Sequence, residues 1–374
     1  MKFLTLQSEL KSINQNFLAN IKEKSTPVFI TADREASEVH IKYMDGGHIM
    51  QYELSCHIIK GGTVAVDSVP ALVAAIKKLQ SGEVEVSFKG GNPDQVLFQQ
   101  SNRRSNRSVV APAELIQDLD ECFFISKPPS SIPTTELTDL KALLKPVMYA
   151  VAKPTSYKPN MQGVLLELYK NNVSAIGTDL LRLCKNTTTD ICCSLDDVVS
   201  CFIPSLHITT LLKLTNECKI SVDTSKNITY IYGDNFKMQI KSDPKNFPPY
   251  QNVSMQTNKV ISFKRAELMQ DVEALMRINC RATRVPKIHL LPINKTTAIL
   301  TASCDKVVSE FEINTVFNTT DIDEVSFNPV SLLDMLSQSK SRVVSLQHTD
   351  KKAPFFVVER ADTYKRMHCL MPYN

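Results

Sequence analysis

Three stretches of the chain place apolar residues on one helical face and then switch, after a polar break, to strand-like alternation. The first is VPALVAAIKKLQSGEVEVSF, from Val69. Leu72, Val73, Ile76 and Leu79 mark its helix, and Val84 and Val86 its strand. The second is PSLHITTLLKLTNECKISVD, from Pro204, with Ile208, Leu211 and Leu212 followed by Ile220 and Val222. The third is PVSLLDMLSQSKSRVVSLQH, from Pro329, with Leu332, Leu333 and Leu336 followed by Val344 and Leu346. Each opens with proline in or beside its first turn, where a missing N–H costs nothing. The starts lie 135 and 125 residues apart, each close to a third of the chain.

A further helix is predicted ahead of each copy. Its apolar stripe is Leu10, Ile13, Phe17 and Ile21 in the first third, and Leu137, Leu140, Leu144 and Met148 in the second. In the last third it is Leu268, Val272, Leu275 and Met276. Most of the remainder reads as short β-runs between turn residues, such as GVLLELYKN, ITYIYGDNFKMQIKS and FFVVER. The expected class is α+β, with three similar domains that each carry two helices packed on antiparallel sheets. Linkers fall at Ser126–Pro133, where Pro and Ser cluster, and near Val253–Lys259. The expected domains are 1–127, 133–254 and 258–374.

Composition sharpens this only a little. The chain has 374 residues, 43% hydrophobic and 22% charged, as folded globular proteins do. That length is too great for one ordinary core. A net charge of +4 neither demands nor excludes a nucleic-acid partner. The N-terminus lacks the unbroken apolar core of a signal peptide, and no apolar run suits a membrane helix. The ten cysteines are scattered without paired metal-ligand spacing, so free thiols and a cytoplasmic location are expected, and sequons such as Asn186 stay unglycosylated.

Catalytic signatures are missing. There is no GxGxxG, phosphate loop, HExxH or GxSxG. His207 sits amid Ile and Leu, as a packed histidine would. Asp190, Asp196 and Asp197 gather no ligand partners and read as a solvated turn; KGGNPDQ reads as a turn too. The expectation is a scaffold without cofactor or metal, not an enzyme.

Several segments resemble the bacterial β sliding clamps, the processivity subunits of DNA polymerase III. NMQGVLLELYKNNVSAIGTDLLRLCKN is similar to the family's central strand and its TDGHRL turn, and KSDPKNFPPYQNV to its FPxY loop. VSFNPVSLLDML and HCLMPYN are similar to its FNxx helix start and terminal MPxR. The matches follow the family's order across the whole chain. The resemblance implies a head-to-tail dimeric ring with the repeated helices lining a hole around duplex DNA, held without sequence reading. Other implied partners are the replicative polymerase, the clamp loader and other proteins with a short hydrophobic clamp-binding peptide; the alternative is a clamp-like binding module that keeps the pocket but does not encircle DNA.

Residue by residue, the resemblance places the partner-peptide pocket at Met161, Thr178, Leu180, Leu181, Arg182, Leu183, Pro248, Val253, Asn328, Ser331, Leu370, Met371, Pro372 and Tyr373. Basic residues on or near the helices are expected to touch DNA: Lys24, Lys77, Lys78, Lys141, Lys145, Lys213, Arg265 and Lys340, with Arg103 and Arg104 of the RRSNR patch. Lys and Arg also simply face water, and that reading competes at each position. Leu275 and Met276 are nominated for the subunit joint, opposite Val109 and Val110. Three departures stand out: Leu180-Leu181 replaces the family's Gly-His, Ser331 its tyrosine, and MPYN its terminal MPxRL. They imply a reshaped, more apolar pocket in a divergent clamp.

Overall fold

The same strand–helix pairing recurs three times in the computed structural model. It describes all residues except 22–25, 92–93, 103–104, 117–124, 126–127, 157, 189–196, 254–256, 280–286, 305–306, 320–323, 351 and 374. In the first third, strand Lys2–Leu6 leads into helix α1 (Gln7–Asn16), and helix α2 (Val69–Lys77) leads into strand Glu83–Lys89. In the second, strand Thr134–Leu137 precedes α3 (Leu140–Leu144), and α4 (Ser205–Leu214) precedes strand Cys218–Asp223. In the third, strand Lys259–Lys264 precedes α5 (Arg265–Asn279), and α6 (Pro329–Gln338) precedes strand Val343–His348. Each strand entering a first helix pairs antiparallel with the strand leaving the second, with Phe3 opposite Val86, Thr135 opposite Ile220 and Ile261 opposite Leu346.

Local chemistry accounts for the helix starts. The Ser68 hydroxyl accepts the Ala71 N–H at 3.3 Å, and the Asn328 side chain accepts from Val330 and Ser331 at 3.0 and 3.2 Å. Pro70 and Pro329 occupy first-turn positions that need no donor. Two predicted helices come out shorter than their stripes. α1 ends at Asn16, and Leu18–Asn20 continues as a 3₁₀ turn. α3 gives way to the 3₁₀ segment Lys145–Ala150, because Pro146 disfavours α geometry at the residue before it. The stripes nonetheless point largely inward: Leu10, Ile13, Phe17, Leu140 and Leu144 are buried, whereas Met148 is half-buried and its neighbour Val147 takes the interior place.

Contacts divide the chain into two compact units, Met1–Lys141 with Cys192–Pro244, and Ala142–Ile191 with Lys245–Asn374. The middle third contributes to both. In the first unit its strand Phe236–Lys241 pairs with His48–Ser55, joining strands of two repeats in one sheet. In the second, Arg182–Thr188 pairs with Tyr364–Leu370 in the same way. The core of the second unit gathers Phe263, Leu268, Val272 and Leu275 from the start of the third repeat with Leu332, Leu336, Val344 and Leu346 from its end.

Each unit buries a neutral histidine. His207 on α4 lies with Nδ1 3.4 Å from the Met50 sulfur and its ring edge-on to His48, and burial pushes it down to about 3. In the second unit, buried His368 holds Nδ1 2.8 Å from the Tyr149 hydroxyl, and burial again lowers its pKa. An unfolded histidine titrates near 6.5. The unfolded chain therefore binds more protons than the folded one as pH falls below that value. Stability from neutral burial is full above 6.5 and lost as pH drops towards the folded pKa, at up to ~1.4 kcal/mol per pH unit for each histidine. Melting temperature is expected to fall steadily from pH 6.5 to 4.5. A flat profile over that range, measured by circular dichroism, would contradict it.

Candidate partner-peptide site and DNA-facing surface

A tight turn builds the centre of the candidate pocket. Strand Val173–Thr178 returns as strand Arg182–Thr188 across Asp179, Leu180 and Leu181. Asp179 Oδ1 accepts the N–H groups of Leu181 and Arg182 at 3.0 and 2.7 Å. The Thr178 hydroxyl donates to the Arg182 carbonyl at 2.8 Å and accepts the Leu180 N–H at 3.1 Å. These bonds hold Leu180 at φ +74°, a left-handed conformation that a branched apolar side chain adopts only at a cost. Leu180 and Leu181 are 48% and 58% exposed.

Arg182 ties this turn to its surroundings. Its Nε and Nη2 each lie 3.0 Å from Asp179 Oδ2, and Nη1 lies 2.6 Å from Asp334 on α6. The guanidinium also stands 5.7 Å from the centroid of the Tyr149 ring. Tyr149 is carried by the 3₁₀ segment, which can approach the sheet closely because residue 177 is glycine. A Cβ there would lie 2.7 Å from the Val147 carbonyl oxygen.

The chain's last residues are bonded to the same turn. Met371 N–H donates to the Leu181 carbonyl at 2.9 Å, and Tyr373 N–H donates to the Ser326 carbonyl at 2.9 Å, just ahead of the α6 cap Asn328. The tail thus runs from the turn to the start of α6. Met371 and Val330 are exposed, Pro372 and Tyr373 half-buried. Met161, Thr178, Leu183, Ser331 and Leu370 are buried and pack the interior of the unit. Pro248 and Val253, both half-buried, sit on a loop pinned through Tyr250, whose hydroxyl donates to Glu167 at 2.6 Å. Burial raises the Glu167 pKa, but hydrogen bonds from Tyr169, Tyr250 and Lys185 outweigh it and hold the carboxyl below its ordinary value.

All fourteen pocket candidates lie in the second unit. Sequence reading missed the residues that fix the others: Asp179, Asp334, Tyr149, Glu167 and Lys185. The TD-x-x-R spacing of Thr178, Asp179 and Arg182 was a legible sign of a side-chain-closed turn. Nothing local marked Asp334 or Tyr149, whose roles depend on long-range packing.

The basic candidates separate by role. Lys77 and Lys213 lie in the last turns of α2 and α4, Lys78 follows α2, and Lys340 follows α6. Those side chains are exposed, and Lys340 stands 5.7 Å from the Tyr364 ring centroid. Lys141 and Lys145 are exposed on α3 and the 3₁₀ segment. Arg265 turns inward: its Nε donates to the Ser341 carbonyl at 3.1 Å and its Nη1 to the Leu336 carbonyl at 3.3 Å, so it caps the end of α6. Lys24, Arg103 and Arg104 lie outside the described residues.

The joint candidates also divide. Leu275 is fully buried in the core and Met276 packs partly against it, whereas Val110 is exposed and Val109 half-buried on strand Ser105–Pro112. A side chain committed to the interior cannot also face another subunit, so Leu275 is assigned to the core.

No protein-family model matches the chain. It is 23% identical to a Beta sliding clamp of Chlamydia pneumoniae over 370 residues, covering 96% of each chain. A Beta sliding clamp of Chlamydia muridarum is 22% identical, covering 100% of this chain and 98% of its own. Among solved structures, the DNA polymerase sliding clamp of Pseudomonas aeruginosa superposes with a TM-score of 0.82 at 17% identity, over 100% of this chain and 99% of that one. A β sliding clamp of C. crescentus gives a TM-score of 0.83 at 17% identity, with the same coverage. The architecture is therefore the DNA-clamp fold, an α+β chain of three like domains. Within that class the chain is similar along its whole length to the bacterial β sliding clamps named above.

Proposed function

We propose that the protein is a non-enzymatic sliding clamp of the cytoplasm. Two copies close head-to-tail around duplex DNA and tether a replicative polymerase and other partners through the pocket on the second unit. The observation that carries this is the threefold repeat, whose full-length likeness to sliding clamps has a TM-score of 0.82. The domain limits 1–127, 133–254 and 258–374 belong to the same reading. A ring retains DNA by topology, so contacts need only be weak and directed to phosphates. The lysines in the last turns of α2 and α4 suit that role, and Lys340, just past α6, adds a cation to the third repeat.

The joint in this reading uses sheet edges. Strand Ser105–Pro112 is the edge of one sheet and Val307–Asn314 the edge of another. The first exposes Val110 and Arg107; the second exposes Val308, Glu310 and Glu312 on alternate positions. Unpaired edges invite pairing, and their opposite charge favours a match between unlike surfaces, a head-to-tail contact that closes after two copies.

The test is solution mass together with retention on plasmid. A species at twice 41.9 kDa that stays on nicked circles and slides off once they are linearised is expected. A stable monomer would favour the alternative, a peptide-binding module that does not encircle DNA.

A further inference from the structure

We propose that Glu38, His40 and Glu53 form a binding site for a divalent transition ion of the zinc type, and that Lys237 competes with the ion for Glu53. The site lies in the first unit and depends on neither the peptide pocket nor ring closure.

Strand Glu38–Asp45 pairs with strand His48–Ser55 so that His40 faces Glu53 and Lys42 faces Gln51. Glu38, two residues before His40, shares its face of the sheet, while Val39 and Ile41 fill the core on the other. One donor atom each from Glu38, His40 and Glu53 lies within 4.8 Å of the other two. His40 Nδ1 is 3.7 Å from Glu53 Oε1, and Nε2 is 4.0 Å from Glu38 Oε2. Tetrahedral zinc, with bonds of about 2.0–2.1 Å, sets neighbouring donors about 3.3 Å apart, a closure that side-chain rotation supplies. An ion takes one ring nitrogen. Nδ1 is assigned, because the Gln51 amide adjoins it at 3.1 Å and lies 2.7 Å from Glu53 Oε1. Turned over, that amide presents an oxygen at the same point. Spacing along the chain conceals the set, since only the hairpin brings Glu53 across to His40.

The converging atoms are acceptors, and they already draw a cation. Lys237, opposite Gln51 on the strand contributed by the second repeat, holds Nζ 2.6 Å from Glu53 Oε1. Its side chain is 35% exposed, so the ammonium can withdraw to water at small cost. Ion binding thus exchanges an ion pair between two repeats for bonds within the first. Lys42, buried on the same face, stays in place and repels a dication, which holds the affinity in the micromolar range. Imidazole with carboxylates suits zinc better than magnesium or calcium, and paired strands hold such donors more precisely than loops do.

The test titrates Zn²⁺ into untagged full-length protein by calorimetry and follows Co²⁺ by absorption. A single ion per chain is expected, with a cobalt spectrum free of thiolate charge transfer. His40→Gln should weaken binding at least ~tenfold, and Lys237→Met should tighten it about two- to fivefold. Zn²⁺ should raise the melting temperature of the unaltered protein and of Lys237→Met, but not of His40→Gln. Glu38→Gln, at a partly exposed position, replaces His40→Gln should the latter fail to fold. No binding, affinity unchanged in these ligand variants, or a thiolate band that puts the ion on cysteine overturns the site. Affinity unchanged in Lys237→Met overturns the competition and places the ion away from Glu53.

Discussion

Under the proposed head-to-tail joint, charge reversal on the exposed edge of the third repeat is expected to separate the two copies without unfolding the chain. Glu310→Lys with Glu312→Lys leaves the core untouched, since both side chains project outward from a strand whose inward Ile313 is buried. Surface substitutions of this kind change fold stability within about 0.5 kcal/mol. At the proposed joint the same changes place like charges against Arg107, and like-charge juxtaposition across an interface costs several kcal/mol. A loss of about 3 kcal/mol raises a dimer dissociation constant more than a hundredfold. Light scattering should then report a monomer at micromolar concentration, with an unaltered melting temperature and no plasmid retention. The companion change, Arg107→Glu, should restore the dimer when combined with them. A dimer that survives the double reversal would move the joint away from these edges. Leu275→Ala makes the contrast: it empties part of a packed interior and should cost about 2–5 kcal/mol of fold stability instead.

How much of this was legible in the sequence follows from how local each cause is. The repeat was readable because helical spacing and strand alternation are written residue by residue, and each copy keeps both. Pro146 was equally visible, yet the stripe through Leu144 and Met148 outweighed it in the reading; the structure resolves that conflict with a 3₁₀ segment that still buries Val147. Burial around Leu275 was not legible. A helix that packs its own domain and a helix that offers a joint show the same apolar stripe, and only the sheet order reveals which strand edges remain unpaired. Arg265 has partners that were hidden for a similar reason. Its charge suggested a phosphate contact, but two carbonyls at the end of α6, supplied by residues more than seventy positions away, accept its protons first. The pocket positions came from resemblance; the buried or charged groups that fix them did not.

Leu180→Gly is expected to make the protein more stable and a poorer binder. Two ordinary rules are broken at this residue at once. A non-glycine side chain sits at φ +74°, and a large apolar one is left 48% exposed. The left-handed conformation costs roughly 1–2 kcal/mol for such a residue, and glycine adopts it freely. Glycine's greater freedom in the unfolded chain takes part of that back, so the net gain should be about 0.5–1 kcal/mol, read as a melting temperature higher by about one degree. The binding effect runs the other way. A leucine that becomes covered when a peptide docks contributes about 1.5–3 kcal/mol if fully buried, so its removal should weaken an apolar peptide about tenfold or more. Stability and affinity changing in opposite directions is the signature of a residue whose strain persists because it contacts a partner. If Leu180→Gly stabilises the fold and leaves peptide affinity intact, the turn is strained without serving the pocket, and Leu181 with Met371 must supply the apolar wall. If it destabilises the fold, the turn's geometry depends on the leucine side chain itself, and the bonds from Asp179 and Thr178 are not sufficient to set it.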